Sequence, residues 1–382
     1  MHILIAPNAF KNSLTATQAT LAIRKGLTDS KLNFTFEEFP IGDGGDGTGH
    51  LIVEKCKGKK INMLVRDAIG RKINTTFGLI DDGKTAVIEM ADASGIGLLK
   101  ADELNPLQAN SFGTGEQIKI ALDCGVQKII IAMGGSATVD GGTGILTALG
   151  IQFLNEKGDV LSGLPGSLID LSFVDLSGLD KRILQTEIIV LCDVDNVLLG
   201  EKGAAAMFGP QKGANPEAVN LLEAGLKKLA EVCLKQTKKE MATIPFGGTA
   251  GGAAAGLWAF LDAKLVNGID YFLHSTGFDK SLKNANLVIT GEGSIDEQTL
   301  QGKGPFGVAK LAKIAGVPVV GLAGRIPLIP LPKMLEYFDV LLAIGHQPTD
   351  LSSAMANTMK NLFRTSTALG NLLAITSSIK KS

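Results

Sequence analysis

Apolar runs of strand length alternate with helical patterns along most of this chain, and that alternation restricts it to an α/β architecture with parallel strands. The clearest unit comes first. Residues 2–6 read as a buried strand, Thr15 with Gln18 fits a capping box, and Ala19, Ala22, Ile23 and Leu27 share one helical face. A second strand is expected at 34–39. Three more are expected at 287–289, 317–322 and 340–344, with Pro305 opening a helix to about 315 and another helix over 350–378. Two strands from one end of the chain and three from the other predict a single five-stranded doubly wound sheet.

The middle of the chain reads differently. Strands are expected at 61–66, 73–80 and 84–90 around the turn Asp81-Asp82-Gly83, and then at 128–132, 151–154 and 187–192. Thr114 and Gln117 look like the capping box of one helix, and a longer helix fills 216–236. These elements predict a second α/β domain, 63–282, inserted into a discontinuous first domain of 1–62 and 283–382. An active-site cleft between the two, closing on substrate, is expected. Residues 241–261 carry no charge, but Pro245 and five glycines mark them as a buried loop and helix, not a membrane span.

Bulk charge excludes one large class of partner. Lys+Arg number 37 against 38 Asp+Glu, so nothing attracts a polyanion, and aromatics at 5% are too few for a base-stacking surface. The lysines at 55, 57, 59 and 60 read as a solvated loop. Four scattered cysteines show no zinc spacing, and no secretory signal opens the chain, so a reduced, cytoplasmic protein without membrane or nucleic-acid partners is expected.

Glycine is in excess, at 47 of 382 residues against a typical ~7%. Four clusters hold many of these glycines. Gly42, Gly44 and Gly47 formally satisfy GxGxxG, with Asp67 twenty residues on, the pattern of a NAD-dependent dehydrogenase. Asp43 and Asp46 place two negative charges where its pyrophosphate would lie, which favours a cation-bridged phosphate or a substrate hydroxyl instead. The second cluster, Gly134-Gly135-Ser136 through Gly142, leaves an apolar strand and suits anion binding through main-chain amides. The third, residues 246–257, reads as close helix packing. The fourth, Gly291-Glu292-Gly293, ends a parallel strand, with Lys303 following. Asp193 and Asp195 leave another strand at hard-cation spacing, and Lys11 follows the first. No P-loop is present, no histidine sits in a nucleophile motif, and GxSxG is absent. Acids, lysines and glycine loops are the materials of phosphoryl transfer.

These segments resemble the bacterial glycerate kinases of the glycerate 2-kinase type. The matching stretches are the Lys11 motif, GDGGDGT at 42–48, IEMADASG at 88–95, GTGE at 113–116 and GGSATVDGG at 134–142. CDVDNVLLG at 192–200, FGPQKGA at 208–214, TAGGAAAGL at 249–257 and VITGEGSIDEQTLQGKGP at 288–305 complete the set. The resemblance implies a flavodoxin-like domain carrying an inserted α/β domain, and ATP-dependent phosphorylation of D-glycerate. Asn8, Ala9, Val139 and Ser294 depart from the family pattern and receive no role.

On those motifs, residue chemistry assigns Asp193, then Asp43, as the base accepting the glycerate hydroxyl proton. Lys11 and Lys303 neutralise the transferred group. Gly134, Gly135 and Ser136, with Gly291 and Gly293, bind nucleotide phosphate. Asp195, Asp46 and Glu292 are candidates for Mg²⁺, and Arg66, Lys212 or Arg325 for the glycerate carboxylate. The product is expected to be 2-phosphoglycerate, with 3-phosphoglycerate the alternative. A ligand-binding protein without turnover is the remaining reading of the scaffold.

Overall fold

Thirteen strands are present among residues 1–379, the part of the chain that the computed structural model describes. The chain opens with β1 (His2–Ile5) and β2 (Thr35–Glu38). It continues through β3 (Lys59–Arg66), β4 (Lys72–Ile80), β5 (Thr85–Glu89), β6 (Lys128–Ala132), β7 (Gln152–Leu154), β8 (Phe173–Asp175), β9 (Glu187–Cys192) and β10 (Lys264–Asn267). It closes with β11 (Leu287–Ser294), β12 (Val319–Arg325) and β13 (Val340–Ala343).

Two units are built from them, Met1–Asp43 with Ile269–Ser382, and Gly44–Gly268. In the first, the order β13-β12-β11-β1-β2 is parallel throughout. Renumbered within the unit this is 2-1-3-4-5, the flavodoxin-like order. The capping box is present: Thr15 Oγ1 accepts from the Gln18 amide and Gln18 Oε1 from the Thr15 amide, starting the helix Ala16–Thr28. Such a cap contributes ~1 kcal/mol. Ile23 and Leu27 then pack with Ile3, Ile5, Ile289 and Leu322. The expected helix over 350–378 is instead two, Leu351–Ala356 and Thr358–Ile379. The longer one approaches Ala16–Thr28 so closely that a Cβ at Gly26 would lie 2.3 Å from the Phe363 carbonyl oxygen.

The second unit holds a six-stranded sheet in the order β10-β9-β6-β5-β4-β3. Four strands, β10 to β5 in that order, are parallel, and β4 and β3 complete it antiparallel. The strand expected at 151–154 lies outside this sheet, in a two-stranded ribbon with β8. The helix Pro216–Thr237, capped by the Asn215 side chain, begins where Pro216 predicts.

The division falls at 43/44 and 268/269, not at 62 and 283. Two packing contacts explain the shift. Val53 on the helix Thr48–Lys55 sits over β4, where a Cβ at Gly78 would be 2.0 Å from Val53 Cγ2, so this helix covers the second sheet. Conversely, Phe272 and Phe278 stack edge-on against Phe39, at 6.4 and 5.1 Å between ring centroids, and so belong with the first. The uncharged segment 241–261 is a loop, exposed at Thr243 and Pro245 and buried throughout only from Gly247 on, that leads into the nine-residue helix Ala253–Leu261. No helix among the described residues is long and apolar enough to cross a membrane.

Candidate active site

Each unit gathers functional side chains at the carboxyl ends of its parallel strands, where open α/β sheets bind ligands. In the first unit β1 runs into Asn8 and Lys11, and β11 into Glu292. The Asn8 amide donates to Asp43 Oδ2 at 2.7 Å, so Asn8, although outside the family pattern, holds one of the candidate bases. Glu292 is 8% exposed and accepts from Thr299 Oγ1 at 2.9 Å. Burial, reinforced by Asp43, pushes its carboxyl up to about 8. A bound cation would oppose that shift, so Glu292 keeps its place among the candidate cation ligands. Lys303 begins the helix Gly304–Ile314, and Arg325 is exposed at the end of β12. Gly293 lies open beside the Lys11 backbone, where a Cβ would stand 3.8 Å from the Lys11 amide nitrogen. Gly291 is different: a Cβ there would meet the Leu322 carbonyl oxygen at 2.1 Å, so the approach of β12 alone requires glycine.

In the second unit the loop 44–49 meets the loop 134–136. The Gly134 amide donates to the Gly44 carbonyl at 3.1 Å. A Cβ on Gly134 would fall 2.3 Å from Gly45 Cα and from the Asp46 nitrogen, and one on Gly135 3.4 Å from Asp46 Cγ. Gly134→Ala must push two backbones apart, and a loss of about 1–3 kcal/mol is expected. Chemical denaturation measures it; an unchanged midpoint would show that the loops do not meet.

The formal dinucleotide motif is already filled. Glu89, which ends β5 and is 2% exposed, accepts from the Gly47 and Gly49 amides at 3.2 and 2.7 Å, at the start of the helix Thr48–Lys55. Burial, with Asp46 and Asp92 nearby, raises its pKa well above the ordinary carboxylate value. A carboxylate thus stands where a pyrophosphate would bind. Asp67, the expected ribose ligand, is buried and accepts from the Ile69 and Arg71 amides and from Arg71 Nε. The dehydrogenase pattern is a turn and a helix capped from β5 by Glu89. Glu89 was missed because an acid closing an apolar strand reads locally as the first residue of a loop.

Lys212 is the most unusual side chain of this unit. It is 3% exposed, and its Nζ donates to Ser136 Oγ at 2.9 Å and to the Thr138 carbonyl at 2.7 Å. Burial lowers it from 10.5 to about 7, against the attraction of Asp140 and Asp193. Asp140 itself is structural, accepting from the Ser111 amide and hydroxyl and from the Gly142 and Gly144 amides. It ties Ser111, the true cap position of the helix Phe112–Asp123, to the next helix; Thr114, expected as the cap, instead bonds Ser94 Oγ inside that helix. Asp193 follows β9 with its amide 3.1 Å from where a Cβ on Gly44 would stand. The loop 246–252 supports the segment after it, through Phe246 N to the Asp195 carbonyl and Gly248 N to the Asn196 carbonyl. Close packing explains its glycines, as expected: Gly251 lies on the Thr138 carbonyl.

Arg66 ends β3, two strands from β5. Its guanidinium lies 4.6 Å from the Phe112 ring centroid and bridges to Glu116 at 3.4 Å, so it is already engaged. Among the described residues no three His, Cys, Asp or Glu side chains gather as a metal centre. Asp46 and Asp195 are both exposed.

Parallel strands that end in glycine loops, carboxylates and a buried lysine fit an α/β phosphotransferase. The glycerate kinase family model matches residues 3–374. The chain is 46% identical over 324 residues to the glycerate kinase of Halalkalibacterium halodurans, covering 85% of each. It is 39% identical over 379 residues to the glycerate 2-kinase of Escherichia coli, covering 98% of each. A crystal structure of a glycerate kinase 2 from Salmonella typhimurium superposes with a TM-score of 0.82 at 38% identity, over 99% of both chains. The chain belongs to the glycerate kinase family, whose activity is the ATP-dependent phosphorylation of glycerate.

Proposed function

We propose that the protein transfers the γ-phosphoryl group of ATP to oxygen 2 of D-glycerate in the cytoplasm, giving 2-phosphoglycerate and ADP. The observation that carries this reading is Lys212, buried with its Nζ donating to Ser136 Oγ and to the Thr138 carbonyl of a glycine loop. A buried lysine there neutralises an anionic oxygen far better than one in solvent. Ser136, Gly134 and Gly135 cradle the phosphate beside it.

In the reaction the glycerate hydroxyl oxygen bonds to phosphorus as the bond from phosphorus to the ADP oxygen breaks. Asp193 accepts the hydroxyl proton, with Asp43 the second choice. On the first unit Lys11 and Lys303 balance charge on the transferred group, and Arg325 takes the glycerate carboxylate, since Arg66 is occupied by Glu116 and Phe112. The Asp46 side chain beside Gly135 would repel a bare phosphate. A cation fits that pair, because Mg²⁺ is commonly held by one or two carboxylates together with nucleotide phosphates. Asp46 and Asp195 are the carboxylates that would hold it, and the ion would supply charge neutralisation between phosphate and acid. The name of the Escherichia coli relative supports oxygen 2.

A coupled assay should show ADP formed in proportion to D-glycerate. Phosphorus NMR of the product should show coupling to the single proton on carbon 2. Coupling to the two protons on carbon 3 would move the product to 3-phosphoglycerate. No glycerate-dependent ADP would overturn the reading.

A further inference from the structure

The second unit carries a cavity of about 530 Å³ that the roles above leave unused, lined among others by Phe112, Asn110, Gln108, Leu161, Leu164 and Thr147. We infer that this cavity binds the adenine and ribose of ATP, a subsite that rests on the kinase reading and locates the nucleotide on this unit.

Three observations carry it. The volume lies within the ~300–1,000 Å³ of cofactor-sized sites and far exceeds what a three-carbon acid fills. Its walls are chemically suited to a flat heterocycle. Phe112, Leu161 and Leu164 offer apolar surface, and the Gln108 amide can donate to and accept from a base edge, while Asn110 Oδ1 accepts from the Phe112 amide and Asn110 Nδ2 keeps a second hydrogen to donate. Glycerate, charged and fully polar, would find there only Arg66, whose charge is already shared with Glu116. Finally, the cavity adjoins the phosphate loop. Ala68 and Ala109, each within two residues of the lining positions Gly70, Gln108 and Asn110, pack directly on Ala137, the residue after Ser136. The cavity wall is thus separated from the Ser136 loop by a single layer of buried alanines, and the phosphates of a nucleotide would run past its edge toward that loop.

The test uses the full chain, with two variants and one label. Thr147 is exposed on the helix Thr143–Ala148, so Thr147→Trp fills the cavity from its rim without entering the core. Phe112→Ala removes the apolar wall. Each should raise the KM for ATP tenfold or more, leave the KM for D-glycerate within twofold, and leave binding of inorganic tripolyphosphate unchanged by calorimetry. Photolysis of 8-azido-ATP on the wild-type protein should label residues 104–112 or 159–166, and ATP should protect them. An ATP KM within twofold of wild type in Thr147→Trp, or labelling confined to other segments, overturns the subsite while wild-type turnover leaves the kinase reading standing. Loss of tripolyphosphate binding along with ATP would place the effect on the phosphate loop and likewise overturn it. A wild-type protein that forms no ADP from ATP and D-glycerate fails at the earlier reading instead.

Discussion

Lys212→Met should lower kcat/KM by ~10²–10³ while the protein remains folded. Methionine replaces the aliphatic stem of the side chain and stops one atom short of the ammonium, so it removes the one charge that Ser136 and Thr138 hold in place. Burial sets the pH dependence. Because the ammonium is lowered to about 7, the free enzyme loses this charge as the pH rises through neutrality, and kcat/KM should fall on that limb. A bound phosphate favours the charged form, so the matching limb of kcat should lie at higher pH. The same shift acts on stability. Between about 7 and 10.5 the unfolded chain holds a proton at this lysine that the folded chain has released, so stability rises with pH across that window. Lys212→Met should abolish both the kinetic limb and that rise. A variant that keeps wild-type kcat/KM and its alkaline limb would remove Lys212 from the chemistry. Lys212→Arg should not rescue, since a planar guanidinium does not fit a site shaped for a point charge.

Asp193→Asn should reduce kcat by ~10²–10⁴, the usual scale for removing a general base, with the KM for ATP changed less than threefold. Asparagine is nearly isosteric, so the contact of the residue-193 backbone with the Gly44 loop survives. The loss would then fall on turnover, where a base acts, and not on binding. Turnover near wild type would transfer the assignment to Asp43. Losing the Asp193 charge should also lower the pKa of Lys212 further, because that charge favours its ammonium form. The alkaline limb of kcat/KM should consequently move to lower pH in the residual activity, a second readout that mere loss of folding cannot produce.

Much of this was legible in the sequence because it is local. Thr15 and Gln18 lie three residues apart, and their reciprocal bonds follow from that spacing. The apolar runs at 2–6 and 287–289 predicted strands, and the handedness of parallel connections left few ways to order them. What stayed hidden depends on distant partners. Glu89 reads as a strand end until the Gly47 and Gly49 amides arrive from forty residues away. Asp140 lies unremarked in the second glycine cluster until Ser111 and two glycine amides claim its oxygens. Val53 shows an apolar helical face but not which sheet the helix will cover, and the expected boundary was displaced for that reason. Periodicity reports that a surface is buried and says nothing about its partner. The buried lysine was visible only as one of several cations, since no local pattern distinguishes a solvated ammonium from one enclosed by Ser136 and Thr138.

The pairing of Ile3 with Leu287 has a consequence for how the protein is made. At ~5–20 residues per second of translation, β1 leaves the ribosome roughly 15–60 s before β11, the strand it must pair with. During that interval β1, which in the finished sheet lies between β11 and β2, has β2 as its only parallel neighbour. The segment Gly44–Gly268 is contiguous and can complete its own sheet while synthesis continues. The nascent chain thus carries a finished body and an exposed, apolar amino-terminal βαβ unit that only the last hundred residues can shelter.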